Sequence, residues 1–102
     1  MKIVRVQYVA KPEFVAQNKE NISQVMKDLR EINNPAIKYT TYLAPDEVSF
    51  MHFAQFENDD AEQVLINLPA FKHFQQELKA HGIDAPPKTE HLSMVASSWD
   101  IF

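Results

Sequence analysis

Cysteine is absent from this 102-residue chain, and glycine occurs once, at Gly82. The first absence excludes disulfides, thiolate zinc sites, iron–sulfur clusters and cysteine nucleophiles, and it fits a protein kept in a reducing cytoplasm. The second excludes loops in which several glycines let backbone N–H groups close on phosphate, and with them classical dinucleotide and P-loop nucleotide binding. Positive charge is scarce: 10 Lys and Arg stand against 14 Asp and Glu, for a formal charge of −4. No stretch gathers the cations that would neutralise a nucleic-acid backbone, and an anionic membrane would repel the chain, so neither is an expected partner. Long apolar runs are missing too. The opening Met1-Lys2-Ile3-Val4-Arg5-Val6-Gln7-Tyr8 is interrupted by Arg5 and Gln7, which predicts no signal peptide, and no later segment could span a bilayer. There is no Gly-x-Ser-x-Gly elbow for a hydrolase and no His-Glu-x-x-His or Glu-x-x-His spacing for a metal. No cofactor and no metal are expected.

What is present is enough for one folded unit. With 45% hydrophobic and 24% charged residues the chain can bury a core and still solvate its surface, and its length fits a single domain over residues 1–102. Ile3 to Ala10 alternate with the period of a strand, Val4, Val6, Tyr8 and Ala10 against Ile3, Arg5, Gln7 and Val9. Pro12 suits a first helical turn. Phe14, Val15, Ile22, Val25, Met26, Leu29 and Ile32 then recur at helical spacing, most weakly near Asn18 and Lys19, until Asn33-Asn34-Pro35 stops the pattern. Two β-branched and aromatic runs, Ile37 to Leu43 and Val48 to Phe56, flank the turn chemistry of Ala44-Pro45-Asp46-Glu47 and predict a hairpin. Asp59 and Glu62 have the spacing of a capping box. The helix they open carries Val64, Leu65 and Leu68, breaks at Pro69 and resumes with Phe71, Phe74 and Leu78. His81-Gly82 offers a stop at which glycine can turn left-handed. After the irregular Ile83-Asp84-Ala85-Pro86-Pro87, Thr89 to Ser97 alternates as a last strand, followed by a tail ending in Trp99, Ile101 and Phe102.

The predicted order is β-α-β-β-α-β, a ferredoxin-like split β-α-β arrangement of the α+β class, with both helices on one face of a four-stranded antiparallel sheet. The other face is left bare. In the third strand, Phe50, His52, Ala54 and Phe56 alternate with Met51, Phe53 and Gln55, so both faces are apolar. A second copy of the same sheet, forming a homodimer across the helix-free face, is the simplest cover; the tail around Trp99 and Phe102 folding back is the alternative.

On these features the chain resembles the antibiotic biosynthesis monooxygenase-like family of the dimeric α+β barrel superfamily. The resemblance covers the element order of nearly the whole chain. Locally it rests on Phe53-Ala-Gln-Phe-Glu-Asn-Asp-Asp-Ala-Glu running into Leu68-Pro69-Ala70-Phe71-Lys72-His73-Phe74, where Pro69, Phe71 and Phe74 match the proline and two phenylalanines of the family's S-P-H-F-x-x-F pattern. Ala70 stands where the family often has histidine, and Leu65 where the haem-degrading branch carries a histidine ligand, which disfavours haem chemistry. The resemblance implies a cofactor-independent monooxygenase acting on a small aromatic or apolar metabolite; a non-catalytic small-molecule-binding or stress-related accessory dimer is the alternative.

Such an oxygenase takes its electrons from the substrate, so it needs a base titrating near neutral pH, a donor for the resulting enolate oxygen and a dry aromatic pocket. His52, mid-strand, and His91, at the start of the last strand, are the candidate bases, since histidine titrates near neutrality. Tyr8 and Tyr39, with Phe53, Phe71 and Phe74, are the candidate substrate-binding residues. Tyr42, Arg5 and Gln7 are further donors. Each has a structural reading as well: a strand histidine is ordinarily satisfied by a neighbour, tyrosines pack sheets, and Arg5 with Gln7 can line a polar seam. His73 and Glu77 have a metal-capable spacing, but the Phe71, Phe74 and Leu78 stripe turns them to solvent.

Overall fold

The computed structural model describes residues 1–102. Its strands are β1 (Lys2–Val9), β2 (Ile37–Leu43), β3 (Ser49–Phe56) and β4 (Lys88–Leu92). The helices are α1 (Val15–Ile32), α2 (Asp59–Ile66) and α3 (Pro69–Glu77), with a 3-10 turn at Pro12–Phe14 and a π turn at Leu78–Gly82. The sheet runs β2-β3-β1-β4 with every neighbour antiparallel, the order of a ferredoxin-like α+β domain. It is open: β2 and β4 are edges, and no barrel closes within one chain.

The register sorts the side chains. Val6 lies opposite His52 and Tyr8 opposite Phe50 on β1 and β3, while Tyr39 is opposite Ala54 and Thr41 opposite His52 on β2 and β3. These residues share the face under the helices. Phe14, Ile22 and Val25 from the first helical layer, and Leu65, Leu68, Phe74 and Leu78 from the second, meet Tyr8, Phe50 and Phe56 in one buried cluster. Each such side chain contributes about 1.5–3 kcal/mol on leaving water.

Local chemistry sets the boundaries. Asn33 closes α1 in a left-handed conformation at φ 53°, and its N–H bonds Leu29 O at 3.0 Å; asparagine tolerates that region because its short amide can bond locally. In the hairpin, the Asp46 carboxylate accepts from the N–H groups of Val48 and Ser49 at 3.0 and 2.8 Å. The Ser49 hydroxyl, first, and those two amides hold the Asp46 carboxyl below its ordinary range. Pro69 does divide the second helical region, because the proline that cannot continue α2 is well placed in the first turn of α3.

Three expectations are corrected. The cap of α2 is Asn58, whose Oδ1 accepts from Ala61 N at 2.9 Å, so Asp59 lies inside the first turn and Glu62 instead pairs with Lys2 at 2.7 Å. The last strand ends at Leu92 rather than Ser97. Leu92 pairs with Ile3, so two residues further the chain has run past the end of β1, its only partner; Val95 stands fully in solvent and Trp99 is 75% exposed.

Gly82, finally, has no left-handed backbone. Its small size is used in packing: a Cβ there would stand 2.8 Å from both Leu78 Cδ1 and Phe14 Cδ2. The same residue's carbonyl accepts from Lys11 N at 2.7 Å, tying the π turn to the connection between β1 and α1. Gly82→Ala is therefore expected to destabilise the fold by about 1–3 kcal/mol through overpacking against a phenyl ring, read as a lower urea midpoint at unchanged slope; an unchanged midpoint would show that Phe14 yields freely.

Candidate functional site

His52 sits at the centre of β3 on the helix-covered face and is 3% exposed. β-Strand alternation puts it there, and the neighbouring strands supply its partners. Tyr8 Oη, from β1, is 2.7 Å from Nε2. Tyr39 Oη and Thr41 Oγ1, from β2, are 2.8 and 3.1 Å from Nδ1. From α1, Asn18 Nδ2 donates to Tyr8 Oη at 2.9 Å. Both ring nitrogens thus have partners, as a polar group this deep requires. The Phe74 ring lies 5.4 Å from the imidazole and Phe71 6.3 Å from Tyr39, centroid to centroid, which closes the site with apolar surface.

Burial decides the protonation states. Removal from water disfavours the imidazolium and pushes the His52 pKa down to about 4. It pushes both phenols up, Tyr8 against the smaller opposing pull of the Asn18 amide and Tyr39 with added repulsion from a Tyr8 phenolate. At neutral pH all three groups are uncharged.

The constellation opens into a cavity of about 510 Å³ between the sheet, α3, the π turn and the segment from Ile83 to Pro87. Tyr8, Tyr39, His52, Phe71 and Phe74 all line it, and Lys79, Asp84 and Thr89 add polar groups. A volume of this order holds a small two- or three-ring molecule. No three His, Asp or Glu side chains converge anywhere in the chain, and no helix is long and apolar enough to cross a membrane.

Two of the sequence candidates lie elsewhere. Phe53, one residue from His52, necessarily points to the opposite side of the sheet, where its ring packs 5.9 Å from Tyr42 and under the Arg5 guanidinium at 6.0 Å. His91 pairs with Val4 on the edge strand β4, is exposed, and is outside the cavity wall. Arg5 and Gln7 form a polar seam on the helix-free face, where Arg5 bonds Glu90 at 2.8 Å and Gln7 at 2.6 Å. Glu77 faces His81 at 3.6 Å and leaves His73 in solvent.

Asn18 was the residue missed. Its only trace in the sequence is negative: with Asn21 it puts amides where the apolar stripe of α1 continues from Phe14 to Ile22 and Val25. It is fully buried.

Fold and site together define an open-sheet α+β protein with a ligand-sized apolar cavity walled by a Tyr-His-Tyr cluster. The same architecture is found in a crystal structure of an antibiotic biosynthesis monooxygenase, with 15% identity, 94% of this chain and 100% of that one covered, and a TM-score of 0.78. Rv0793 from Mycobacterium tuberculosis is similar at 11% identity, 96% and 98% coverage and a TM-score of 0.78. PA3566 from Pseudomonas aeruginosa is similar at 16% identity, 93% and 94% coverage and a TM-score of 0.75. The resemblance read from the element order is met in the fold, and at these identities it is a likeness of fold. No protein-family model matches the chain, and no curated protein has significant sequence similarity to it.

The depressed His52 pKa makes stability pH-dependent. Above pH ~6.5 the imidazole is neutral in folded and unfolded chains alike. Below that value the unfolded chain takes up a proton that the folded one refuses until about pH 4, so stability falls by up to about 3 kcal/mol across this window. Urea unfolding at pH 7 and pH 4.5 should show the loss in the native chain and a smaller one in His52→Gln; equal losses would mean that His52 is not held neutral.

Proposed function

We propose that the protein binds a small, flat, largely apolar molecule bearing an oxygen function in the cavity, and oxidises it with dioxygen as a cofactor-independent monooxygenase. The observation that carries this reading is the placement of His52, with its two tyrosines, in the wall of a largely apolar cavity. Proton loss from a carbon activated by a neighbouring carbonyl or phenol gives an enolate that can reduce dioxygen. In the balanced reaction a CH2 group and O2 become a C=O group and water, and the substrate is the only reductant.

A histidine with a pKa near 4 is a weak base in the empty site. The developing enolate changes that. An anion about 5 Å from the ring, at an effective dielectric of about 20, favours the imidazolium by about 3 kcal/mol, or roughly two pKa units. The base then comes close to an ordinary histidine when substrate ionises and is weaker otherwise, and hydroxyl groups already aimed at the site stabilise the enolate without reorganising.

A second reading, binding without turnover, is favoured by one feature: both His52 nitrogens are already engaged. Oxygen uptake with a panel of anthrones and quinols separates the two. Turnover that falls about 10²-fold or more in His52→Ala, Tyr8→Phe and Tyr39→Phe, while His91→Ala stays within about twofold of the native rate, supports the enzyme. Binding of the same compounds with no oxygen consumption leaves only the second reading.

We further propose that a second copy of the chain covers the helix-free face. Phe53 and Met51 lie at its centre, with Val9, Tyr42 and Leu92 exposed around them. These side chains, with the exposed Trp99, are the apolar surface that a second copy would cover. Light scattering should give twice the chain mass of 11.8 kDa, and Phe53→Asp should return a folded monomer; a native monomer would rule the interface out.

A further inference from the structure

The hydrogen bonds around His52 have a direction, and Asn18 sets it. The Asn18 amide nitrogen donates to Tyr8 Oη at 2.9 Å, which leaves the hydroxyl's own hydrogen as the group still to be paired. The only acceptor within reach of the Tyr8 hydroxyl is His52 Nε2, at 2.7 Å. A neutral imidazole that accepts at Nε2 carries its hydrogen on Nδ1. Nδ1–H then donates to Tyr39 Oη at 2.8 Å, with Thr41 Oγ1 beside it at 3.1 Å. Tyr39, unable to donate back, is left with an uncommitted hydroxyl hydrogen in the cavity wall.

The opposite direction would have His52 Nε2–H and Asn18 both donating to Tyr8, whose own hydrogen would then have no protein acceptor and would point only into the cavity. The second amide of α1 agrees with the direction found. Asn18 Oδ1 and Asn21 Nδ2 are the two buried side-chain atoms without partners, and they lie about one helical turn apart on the same side of α1. They are an acceptor and a donor, a complementary pair. With the Asn18 amide turned over, both unpaired atoms would be N–H donors, the orphan that folded proteins tolerate least.

We propose that Asn18 is a positioning residue that fixes His52 as the Nδ1–H tautomer and thereby gives the two tyrosines different roles: Tyr8 receives the substrate's proton and Tyr39 donates to its oxygen. This rests on the cavity being the substrate site. As the substrate C–H breaks, its proton passes to Tyr8 Oη while the Tyr8 hydrogen moves to His52 Nε2. The electron pair goes into an enolate whose oxygen takes the Tyr39 hydrogen bond. The substrate class narrows accordingly to flat carbonyl compounds with an acidic C–H beside the ring system, the oxygen presented to Tyr39 and the C–H to Tyr8.

Long-range ¹H–¹⁵N correlation spectra of the histidine side chains test the direction on the unliganded protein. His52 should show a pyridine-type Nε2 and a pyrrole-type Nδ1. In Asn18→Asp at pH 9 the carboxylate can only accept, so Tyr8 must donate to it and the pattern should invert. A protonated Nε2 in the native chain overturns the proposal whether or not the variant folds, and so does a folded variant that keeps the native tautomer. For the ligand, 9-fluorenone should bind the native chain about tenfold tighter than fluorene, the effect of about one hydrogen bond. Tyr39→Phe should abolish that preference and Tyr8→Phe keep it. Fluorenone binding no better than fluorene overturns the assignment of Tyr39. Absence of oxygen consumption alongside the expected tautomer and binding would sink only the oxygenase reading.

Discussion

The burial of one imidazole is the constraint on which the rest of this site depends. A histidine at the centre of a sheet, under the helices, loses its hydration and has two polar nitrogens to satisfy. Each left unpaired would cost about 1–3 kcal/mol. The sheet order answers this directly: β3 is flanked by β1 and β2, and each neighbour contributes a hydroxyl from the same face, Tyr8 on one side and Tyr39 with Thr41 on the other. The buried phenols have polar ends of their own, so the demand passes outward, to Asn18 on α1 and to the cavity at Tyr39. A polar path therefore crosses a core that is otherwise aromatic and aliphatic.

The cavity follows from the same arrangement. α3 and the π turn stand over the His52 side of the sheet, held by the Pro69 break at one end and the close packing of Gly82 on Phe14 at the other. Aromatic rings from α3 cover the imidazole, and the proline-rich segment before β4 makes the outer wall. The apolar surroundings keep His52, Tyr8 and Tyr39 uncharged at neutral pH, and a charge generated inside the cavity acts against that preference. The same low dielectric that depresses the resting base amplifies its response to an enolate, which is the physical link between the burial of the site and the chemistry proposed for it.

Much of the fold was legible in local pattern. Alternation in β1 and β3, β-branched and aromatic residues in β2, helical spacing in α1, and the turn residues around Pro45 and Asn33 each depend on neighbours within a few positions. Where an element's end depends on a distant partner, local pattern failed. Thr89 to Ser97 alternates throughout, yet the strand stops where β1 runs out. Asp59 has the spacing of a cap, but Asn58 reaches the free N–H of Ala61. Gly82 marks a helix end for the reason of size, set by Phe14 some seventy residues away, and not for backbone freedom.

For the site, sequence by itself determined the residue types and, strand by strand, some of the faces: Tyr8 with Val4 and Val6, His52 with Phe50 and Phe56, no cysteine or glycine-rich chemistry, and phenylalanines at helical spacing after Pro69. It could barely separate His52 from His91, because what divides them is whether their strand is central or at the edge of the sheet. It put Phe53 and His52 on opposite faces by pleating alone, but did not say which of those faces the helices and the cavity cover. Only the tertiary structure decided those questions, and only it gave Asn18 a role, since an asparagine that interrupts an apolar stripe has meaning only once the hydroxyl it faces, ten residues earlier on another element, has been brought within 2.9 Å.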